Sequence, residues 1–189
     1  MGLTDTSMSR EDELVNKLVQ YYRNDSMTES VQVEKHYNHY GDRGIVDLVT
    51  DGFSLHLFEI KSPAAIDAAT GANEIIRQFN RMREYYVQDH EIEPNHQATF
   101  ELCFTPDVEC LRHVETNMEM YKNITQTTPD SVSRSRTMVT MRPIAGTETQ
   151  PALLFTHDRD FTNELGESGI IPNDPGLSEW IHKETTLIE

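Results

Sequence analysis

The chain has 189 residues, enough for one α/β domain with a well-filled core, or for one domain with a short appendage. Its formal net charge of −16 at pH 7 argues against binding nucleic acid through a broadly basic surface. It shows neither an N-terminal apolar segment, nor a long apolar run, nor zinc-type cysteine spacing, so we expect a reduced cytoplasmic protein without a membrane span.

The basic residues are 11 Arg and only 5 Lys, against 32 Asp and Glu. This usage resembles that of extreme halophiles and predicts an origin in a halophilic archaeon or its virus; an acidic mesophilic protein is the alternative. In molar salt the Debye length is about 3 Å, so long-range repulsion is damped. Close contacts and a local basic face would then have to supply any binding to nucleic acid.

The first predicted element is a helix over residues 9–23, with Ser9 as its N-cap. The helical period places Glu11 in line with the apolar stripe, so its carboxylate would face the sheet edge. Alternatively, Glu11 only complements the helix dipole. The residues of the predicted stripe are Leu14, Val15, Leu18, Val19, Tyr21 and Tyr22.

Residues 31–34 alternate between apolar and polar side chains, which predicts a first strand. The polar and aromatic residues 36–44 follow, and they predict an irregular connection. The alternative is a surface crossed by a substrate strand, with Arg43 on a phosphate and Tyr37 or Tyr40 against a sugar or base.

Two strands are predicted at residues 44–50 and 53–61, joined by a tight Asp51-Gly52 turn with positive φ. Alternation places Glu59 and Lys61 on one face with Phe53, Leu55 and Leu57, and Phe58 and Ile60 on the other. Both faces are partly apolar, which is typical of a central strand covered on both sides.

Three charges lie in these apolar strands, where each is costly unless it is paired or bound. Asp47 interrupts the first strand, and Glu59 and Lys61 end the second. Two carboxylates on adjacent strands can hold Mg²⁺ or Mn²⁺, and a nearby lysine can orient or deprotonate water, or neutralise a phosphate. The alternatives are a solvated cross-strand pair and a structural ion-pair network.

The order of Asp47, a hairpin and then Glu59-x-Lys61 resembles the PD-(D/E)xK nuclease superfamily, although Val46 stands where a proline is usual. The resemblance implies a mixed central β-sheet flanked by helices, a restriction-endonuclease-like α/β core. It also implies Asp47 and Glu59 as metal ligands with the Ile60 carbonyl as a further one. Residues 11–14 resemble the first helix of archaeal Holliday-junction resolvases, which implies Glu11 as another ligand.

A second helix is predicted from near Asn73, with a polar stripe beside its apolar face. We expect Gln78 to hold water or phosphate, and Arg77, Arg81 and Tyr85, with Arg43, to bind nucleic acid. RecB-like members of the superfamily carry a Gln followed four residues later by Tyr, whereas position 82 here is Met. A merely solvated helix flank is the alternative.

Further predicted elements are a strand over 98–105, a helix capped by Thr105 that continues to about Tyr121, and strands over 137–142 and 153–156. Residues 123–135 are predicted to be a loop, and Trp180 to lie in a short docking helix. The predicted division is a nuclease-like core over 1–145 and a C-terminal extension over 146–189, packed on the same domain.

These features predict a Mg²⁺- or Mn²⁺-dependent nuclease that hydrolyses phosphodiester bonds, with DNA as the first choice of substrate. The alternative is a catalytically inactive nuclease-like domain that binds nucleic acid or a protein partner. A homodimer would suit symmetrical cleavage of a duplex.

Overall fold

The computed structural model describes residues 8–88, 97–126, 135–147 and 151–156. The chain order of the elements is helix α1, strands β1 to β3, helices α2 and α3, strand β4, helices α4 and α5, and strands β5 and β6. Their bounds are α1 Arg10–Asn24, β1 Thr28–His39, β2 Asp42–Gly52, β3 Ser54–Lys61, α2 Pro63–Ala68, α3 Ala72–Gln88, β4 Gln97–Phe104, α4 Val108–Thr116, α5 Met118–Gln126, β5 Ser135–Met141 and β6 Ala152–Thr156.

Over the described residues the strands form one six-stranded sheet in the order β1-β2-β3-β4-β5-β6. The pairs β1–β2, β2–β3 and β5–β6 are antiparallel, whereas β3–β4 and β4–β5 are parallel. Each parallel connection crosses over through helices, α2 and α3 in the first and α4 and α5 in the second. The predicted mixed α/β sheet with flanking helices is confirmed.

The sheet is covered on both faces, which explains the apolar character of its central strands. On one face α1 packs over Leu48, Phe58 and Ile60. On the other face α3, α4 and α5 pack over a larger core that includes Leu57 and Phe100. The predicted alternation along β3 is therefore confirmed, with Leu57 and Phe58 on opposite faces.

Helix α1 begins where the sequence predicts. The Ser9 side chain caps it by accepting a hydrogen bond from the Asp12 N–H at 3.1 Å, and Leu14 and Leu18 are buried against the sheet. The predicted stripe was wrong at Tyr21, which is 45 % exposed because its ring packs on the edge of Tyr22 rather than on the sheet.

The first hairpin is longer than predicted, because residues 36–44 continue the strands instead of forming an irregular connection. Pairing between β1 and β2 extends to His39 opposite Asp42.

At the opposite end of β2, the predicted tight turn with positive φ at Asp51-Gly52 was wrong. Gly52 is still paired with Thr28, where a Cβ would collide with the Met27 carbonyl, and the positive-φ glycines of the described residues do not include it. Phe53 is 75 % exposed and precedes β3.

Two helical details also differ from the sequence prediction. Ser62 caps an additional short helix, α2, and Asp107 rather than Thr105 occupies the N-cap of α4. The predicted single helix to Tyr121 is two helices, because the chain turns at Asn117, where its N–H bonds the carbonyls of His113 and Val114.

Strands β5 and β6 confirm the predicted strands over 137–142 and 153–156, and β6 lies in the same sheet as the rest. Residues 123–126 of the predicted loop end α5, while 127–134 and Trp180 lie outside the described residues. The division into a core and an extension at 145/146 stays a prediction. Within the described part of the chain, none of the helices combines the length and apolarity that crossing a membrane requires.

Candidate active site

The candidate site forms where β2 and β3 separate. Their ladder runs from Thr50 opposite His56 to Leu48 opposite Phe58. One residue further along, the Oδ2 atom of Asp47 accepts a hydrogen bond from the Ile60 N–H at 2.6 Å. A side-chain carboxylate therefore replaces the main-chain acceptor that a continued ladder would supply.

A local distortion turns Asp47 toward β3. Leu48 packs on the α1 face of the sheet, whereas Val46 packs on the α3 face. Residues two apart in a regular strand lie on the same face, so the side-chain alternation of β2 is broken between these two residues. On the neighbouring strand β1, Glu34 interrupts the regular pairing at this point and has a φ of 51°. Because regular alternation breaks here, the Asp47 carboxylate lies between the strands instead of above or below the sheet.

Glu59 and Lys61 form a short ion pair on the α3 face of β3. The distance from Lys61 Nζ to Glu59 Oε1 is 2.6 Å, and the side chains of Lys61 and Glu59 are only 12 % and 9 % exposed, respectively. On its other side β3 is paired with β4 through Lys61 opposite Phe104. The pair is thus fixed by a central strand and largely shielded from water.

Glu11 reaches the end of β3 from α1. Its Oε1 atom accepts hydrogen bonds from the Ser62 N–H at 3.1 Å and from the Ser62 hydroxyl at 2.9 Å. Since Ser62 directly follows Lys61, this contact attaches the first turn of α1 to the strand that carries the ion pair. The structure therefore brings Glu11, Asp47, Glu59 and Lys61 together, as expected from the sequence.

The carboxylates perturb one another. Burial and the nearby Glu59 raise the pKa of Asp47 to about 7, with the Ile60 N–H and Lys61 opposing the change. Burial also raises the pKa of Glu59 above its usual range, against the effect of Lys61. Burial alone would lower the pKa of Lys61, but Glu59, Asp47 and Glu11 together raise it. The site contains more carboxylates than the single charge of Lys61 can neutralise. A bound cation would reduce the repulsion among them.

The donor set fits a hard cation only if the main chain takes part. Among the residues that the structure describes, no three His, Cys, Asp or Glu side chains form a complete metal site by themselves. However, the N–H and C=O of one strand residue point to the same side, so the Ile60 carbonyl faces β2 and Asp47. The Lys61 carbonyl points the other way and accepts from the Thr105 N–H.

Gln78 and Arg77 lie on α3 and contact their own helix. Gln78 donates its amide to Oε1 of Glu74 at 3.0 Å, and Arg77 makes two hydrogen bonds of 2.9 Å to the same carboxylate. Arg77 is 65 % exposed. The structure thus places both side chains beside Glu74, and the predicted role of Gln78 in holding water or phosphate stays a prediction.

The remaining predicted contact residues lie between α3 and the β1–β2 hairpin. Arg81 donates to the main-chain carbonyl of Arg43 at 3.5 Å, and Arg43 itself is exposed. Tyr85 packs on Tyr37, with ring centroids 5.0 Å apart. Arg43 and Arg81 are therefore neighbours at one end of the hairpin.

Two residues near the site have contacts there that the sequence prediction does not indicate. Ser62 holds Glu11, and the Ser-Pro pair that opens α2 is a helix-start signal that could have pointed to it. Tyr37 on β1 is buried; burial and the charge of Glu59 raise its pKa. No local pattern singles out Tyr37 in this role, because its approach to Glu59 depends on the pairing of three strands.

One of the comparisons with known proteins finds a match. A family model described as a PD-(D/E)XK nuclease superfamily domain matches residues 9–180. No curated protein and no solved structure matches the chain. The family match covers α1, the entire described sheet and the Asp47, Glu59 and Lys61 positions. This chain therefore belongs to the PD-(D/E)XK nuclease superfamily.

Proposed function

We propose that the protein is a divalent-metal-dependent phosphodiesterase that cleaves nucleic acid, with DNA as its substrate. The observation that carries the proposal is the meeting of Asp47, Glu59 and Lys61 at the point where β2 and β3 separate. Opposite charges that are held largely out of water, at an opening in the sheet, suit the transfer of a charged phosphoryl group. The family match supports the same reaction class.

Asp47, Glu59 and the Ile60 carbonyl would hold Mg²⁺ or Mn²⁺, with Glu11 close enough to β3 to contribute through a water or directly. A cation in this position supplies charge neutralisation for the phosphate and lowers the pKa of a bound water. The remaining coordination positions would be open to water and substrate, because the protein offers few ligands of its own.

Lys61 acts as an ammonium in this proposal. Its pKa is raised by the surrounding carboxylates, which favours the protonated form at neutral pH. A protonated lysine can orient the attacking water or donate to a phosphate oxygen, whereas it cannot accept the proton of that water. In-line attack would then develop negative charge next to Lys61, and Gln78 would contact the phosphate only after leaving Glu74.

The test is incubation with labelled linear, circular, branched and single-stranded DNA and with RNA, at high KCl, with and without Mg²⁺ or Mn²⁺. We expect cleavage of DNA that requires the metal. Asp47→Ala or Lys61→Ala should lower the rate by about 100-fold or more, because each removes a group that stabilises the reacting charges. Circular dichroism should show that both variants remain folded.

The matched control is Lys122→Ala on α5, a helix that packs on β5 and β6. This variant removes a lysine without touching the site and should cleave like the unaltered protein. Metal-dependent cleavage that survives in highly purified Lys61→Ala would contradict the proposal.

A second candidate function is a nuclease-like domain that binds nucleic acid or a protein partner without cutting. The lack of a complete three-side-chain metal site among the described residues favours it. Calorimetric titration with Mg²⁺ and Mn²⁺ separates the two functions. Saturable binding that Asp47→Asn removes supports the enzyme, whereas the absence of saturable binding supports the non-cutting domain.

A further inference from the structure

The β1–β2 hairpin ends in a two-residue turn made of Tyr40 and Gly41. His39 pairs with Asp42 to close it, and the Asn38 side chain accepts a hydrogen bond from the Gly41 N–H at 2.9 Å. Tyr40 and Gly41 have φ values of 50° and 93°. Positive φ at both central residues is the pattern of a type I′ turn.

Tyr40 is an unfavourable choice for this turn. Type I′ turns favour Asn, Asp or Gly at the first central position, because other side chains are strained at positive φ. Tyr40 is 86 % exposed, and its ring meets that of His39 edge to face with a centroid distance of 4.7 Å. A ring this exposed gains little from burial, so neither the turn geometry nor the hydrophobic core accounts for a tyrosine here.

The surroundings of Tyr40 combine aromatic and basic groups. Arg43 is exposed three residues away, and Arg81 reaches the Arg43 carbonyl from α3. Acidic residues alternate with these arginines, since Asp42 and Glu84 line the same groove as Arg81. Such alternation does not provide the continuous basic face on which a duplex backbone would lie.

These features suit unpaired nucleotides better than a base-paired duplex. Bases inside a duplex are stacked on one another, whereas an unpaired base can stack on an exposed aromatic ring. Stacking depends little on charge, which matters for a protein with a net charge of −16. One or two arginine contacts to phosphate are then enough to align the strand beside the ring.

We propose that Tyr40 stacks on an unpaired base of the substrate and that Arg43 and Arg81 contact phosphates beside it. The substrate is accordingly single-stranded, or a duplex that carries a single-stranded segment at this end of the site. Gly41 precedes Asp47 by six residues, about 20 Å along an extended strand. The stacked base therefore lies several nucleotides from the bond that is cut. This inference rests on the proposed function for the position of the cleavage site.

The experiment measures binding by fluorescence anisotropy in EDTA, where metal-dependent cleavage does not occur. The probes are a labelled single strand, a blunt duplex and a duplex with a single-stranded overhang, all as DNA and as RNA. Each is titrated at about 0.1 M and at about 1 M KCl, where the Debye length is about 10 Å and about 3 Å, respectively. Cleavage with Mg²⁺ is measured separately on the unaltered protein. Failure of cleavage alone contradicts the proposed function and leaves the binding result standing.

Tyr40→Ala should weaken binding of the single strand and of the overhang by about 5- to 150-fold, because base–aromatic stacking contributes about 1–3 kcal/mol per base. Tyr40→Phe keeps the ring and should bind within about 2-fold of the unaltered protein on the same scale. Tyr40→Asn relaxes the turn but removes the ring, so it should bind as weakly as Tyr40→Ala. Phe53→Ala removes a second exposed ring, 75 % exposed at the opposite end of β2, and should have no effect.

Three outcomes overturn the inference. The first is single-strand binding that Tyr40→Ala leaves unchanged. The second is an equal loss for the blunt duplex and the single strand, which would indicate a general effect on the hairpin. The third is the absence of saturable single-strand binding by the unaltered protein.

Discussion

At the scale of single residues, the candidate site holds two carboxylates with pKa values above their usual range. For Asp47 the pKa is about 7, compared with 3.8 for an unperturbed aspartate. A raised carboxylate pKa means that the ionised form is penalised in the folded protein. Without a bound cation the site therefore lowers the stability of the fold near neutral pH.

The pH dependence of this penalty has a definite sign. Between about pH 4 and pH 7 the folded protein keeps a proton on Asp47 that the unfolded chain has lost. The contribution of this residue to the free energy of unfolding is therefore largest below about pH 4 and is lost as the pH rises through about 7. A tenfold difference in proton affinity between the folded and unfolded states corresponds to about 1.4 kcal/mol.

We predict that Asp47→Asn stabilises the metal-free protein by about 1–3 kcal/mol at about pH 8 and has little effect at about pH 4. The asparagine oxygen can still accept the Ile60 N–H, so the geometry is preserved while the charge is removed. Urea unfolding in EDTA at the two pH values measures the difference.

Asp67→Asn is the control, because Asp67 is exposed on α2 and should show no such pH-dependent gain. A variant at position 47 that is less stable than the unaltered protein at the higher pH would contradict the electrostatic interpretation of the site.

At the scale of elements, the β1–β2 hairpin depends on a close contact between Gly44 and Tyr37. The two residues are paired across the strands, and a Cβ at position 44 would overlap the Tyr37 ring. The ring covers the glycine and lies near Glu59, Arg81 and Asp42. This contact fixes the position of β1 relative to the candidate site.

We predict that Gly44→Ala destabilises the protein by about 1–3 kcal/mol, because the ring must move out of a packed position. The double variant Tyr37→Leu/Gly44→Ala should recover part of that loss relative to the sum of the two single changes. Thermal unfolding of the four proteins in the cycle measures the coupling. Strict additivity would show that the two residues do not interact.

At the scale of the whole molecule, a buried polar network joins the central strands under α1. Glu101 on β4 is fully buried and accepts from Arg142 at 2.6 and 2.9 Å, while His56 Nε2 on β3 lies 2.7 Å from it. Thr140 of β5 donates to the same carboxylate. The Tyr22 hydroxyl of α1 lies 3.4 Å from His56. One carboxylate therefore links three strands, and through His56 it also reaches the helix.

We predict that Glu101→Gln costs about 3–5 kcal/mol, because it leaves the Arg142 guanidinium buried beside a neutral group. Chemical denaturation at neutral pH measures this loss. Glu119→Gln, in the first turn of α5, is the control for removal of a glutamate and should change stability by less than about 0.5 kcal/mol. An equally small effect at Glu101 would mean that the network contributes little to the fold.

The same network sets the response to acid. Burial alone would raise the pKa of Glu101, but Arg142 and His56 hold it well below its usual range. Its contribution to stability is present above about pH 4.5 and is lost as the pH falls toward the folded value. Burial lowers the pKa of His56, so the unfolded chain gains a proton below about pH 6.5 that the folded protein resists. Both groups destabilise the fold in acid, opposite to Asp47.

The net charge of −16 also acts on the whole molecule. Repulsion among exposed carboxylates opposes the compact state, and added salt screens it over a distance of about 3 Å at about 1 M. We predict that the melting temperature rises as KCl is increased from dilute to molar concentration. A melting temperature that stays constant or falls would contradict the halophilic interpretation of the composition.

Much of this organisation could be predicted from local patterns. The apolar period of α1, the alternation along β3 and the spacing of Asp47, Glu59 and Lys61 depend on neighbours in the chain, so they indicated the elements and the site residues. Patterns were less informative at element ends. The polar and aromatic residues around Tyr40 predict an irregular connection, although pairing with the opposite strand keeps them extended up to the turn.

The sequence by itself determined that helices and strands would alternate along the chain and that three charges would lie in apolar strands, because side-chain period and composition are local properties. The mixed sheet was implied by the resemblance to the nuclease superfamily. Only the tertiary structure decided how those charges meet. Asp47 bonds to β3 and Glu11 bonds to Ser62, and both contacts join elements that are distant in the chain. Gln78 bonds to Glu74 on its own helix, a nearby partner that competes with the site. Geometry of this kind arises from packing and hydrogen-bond competition, which local patterns do not encode.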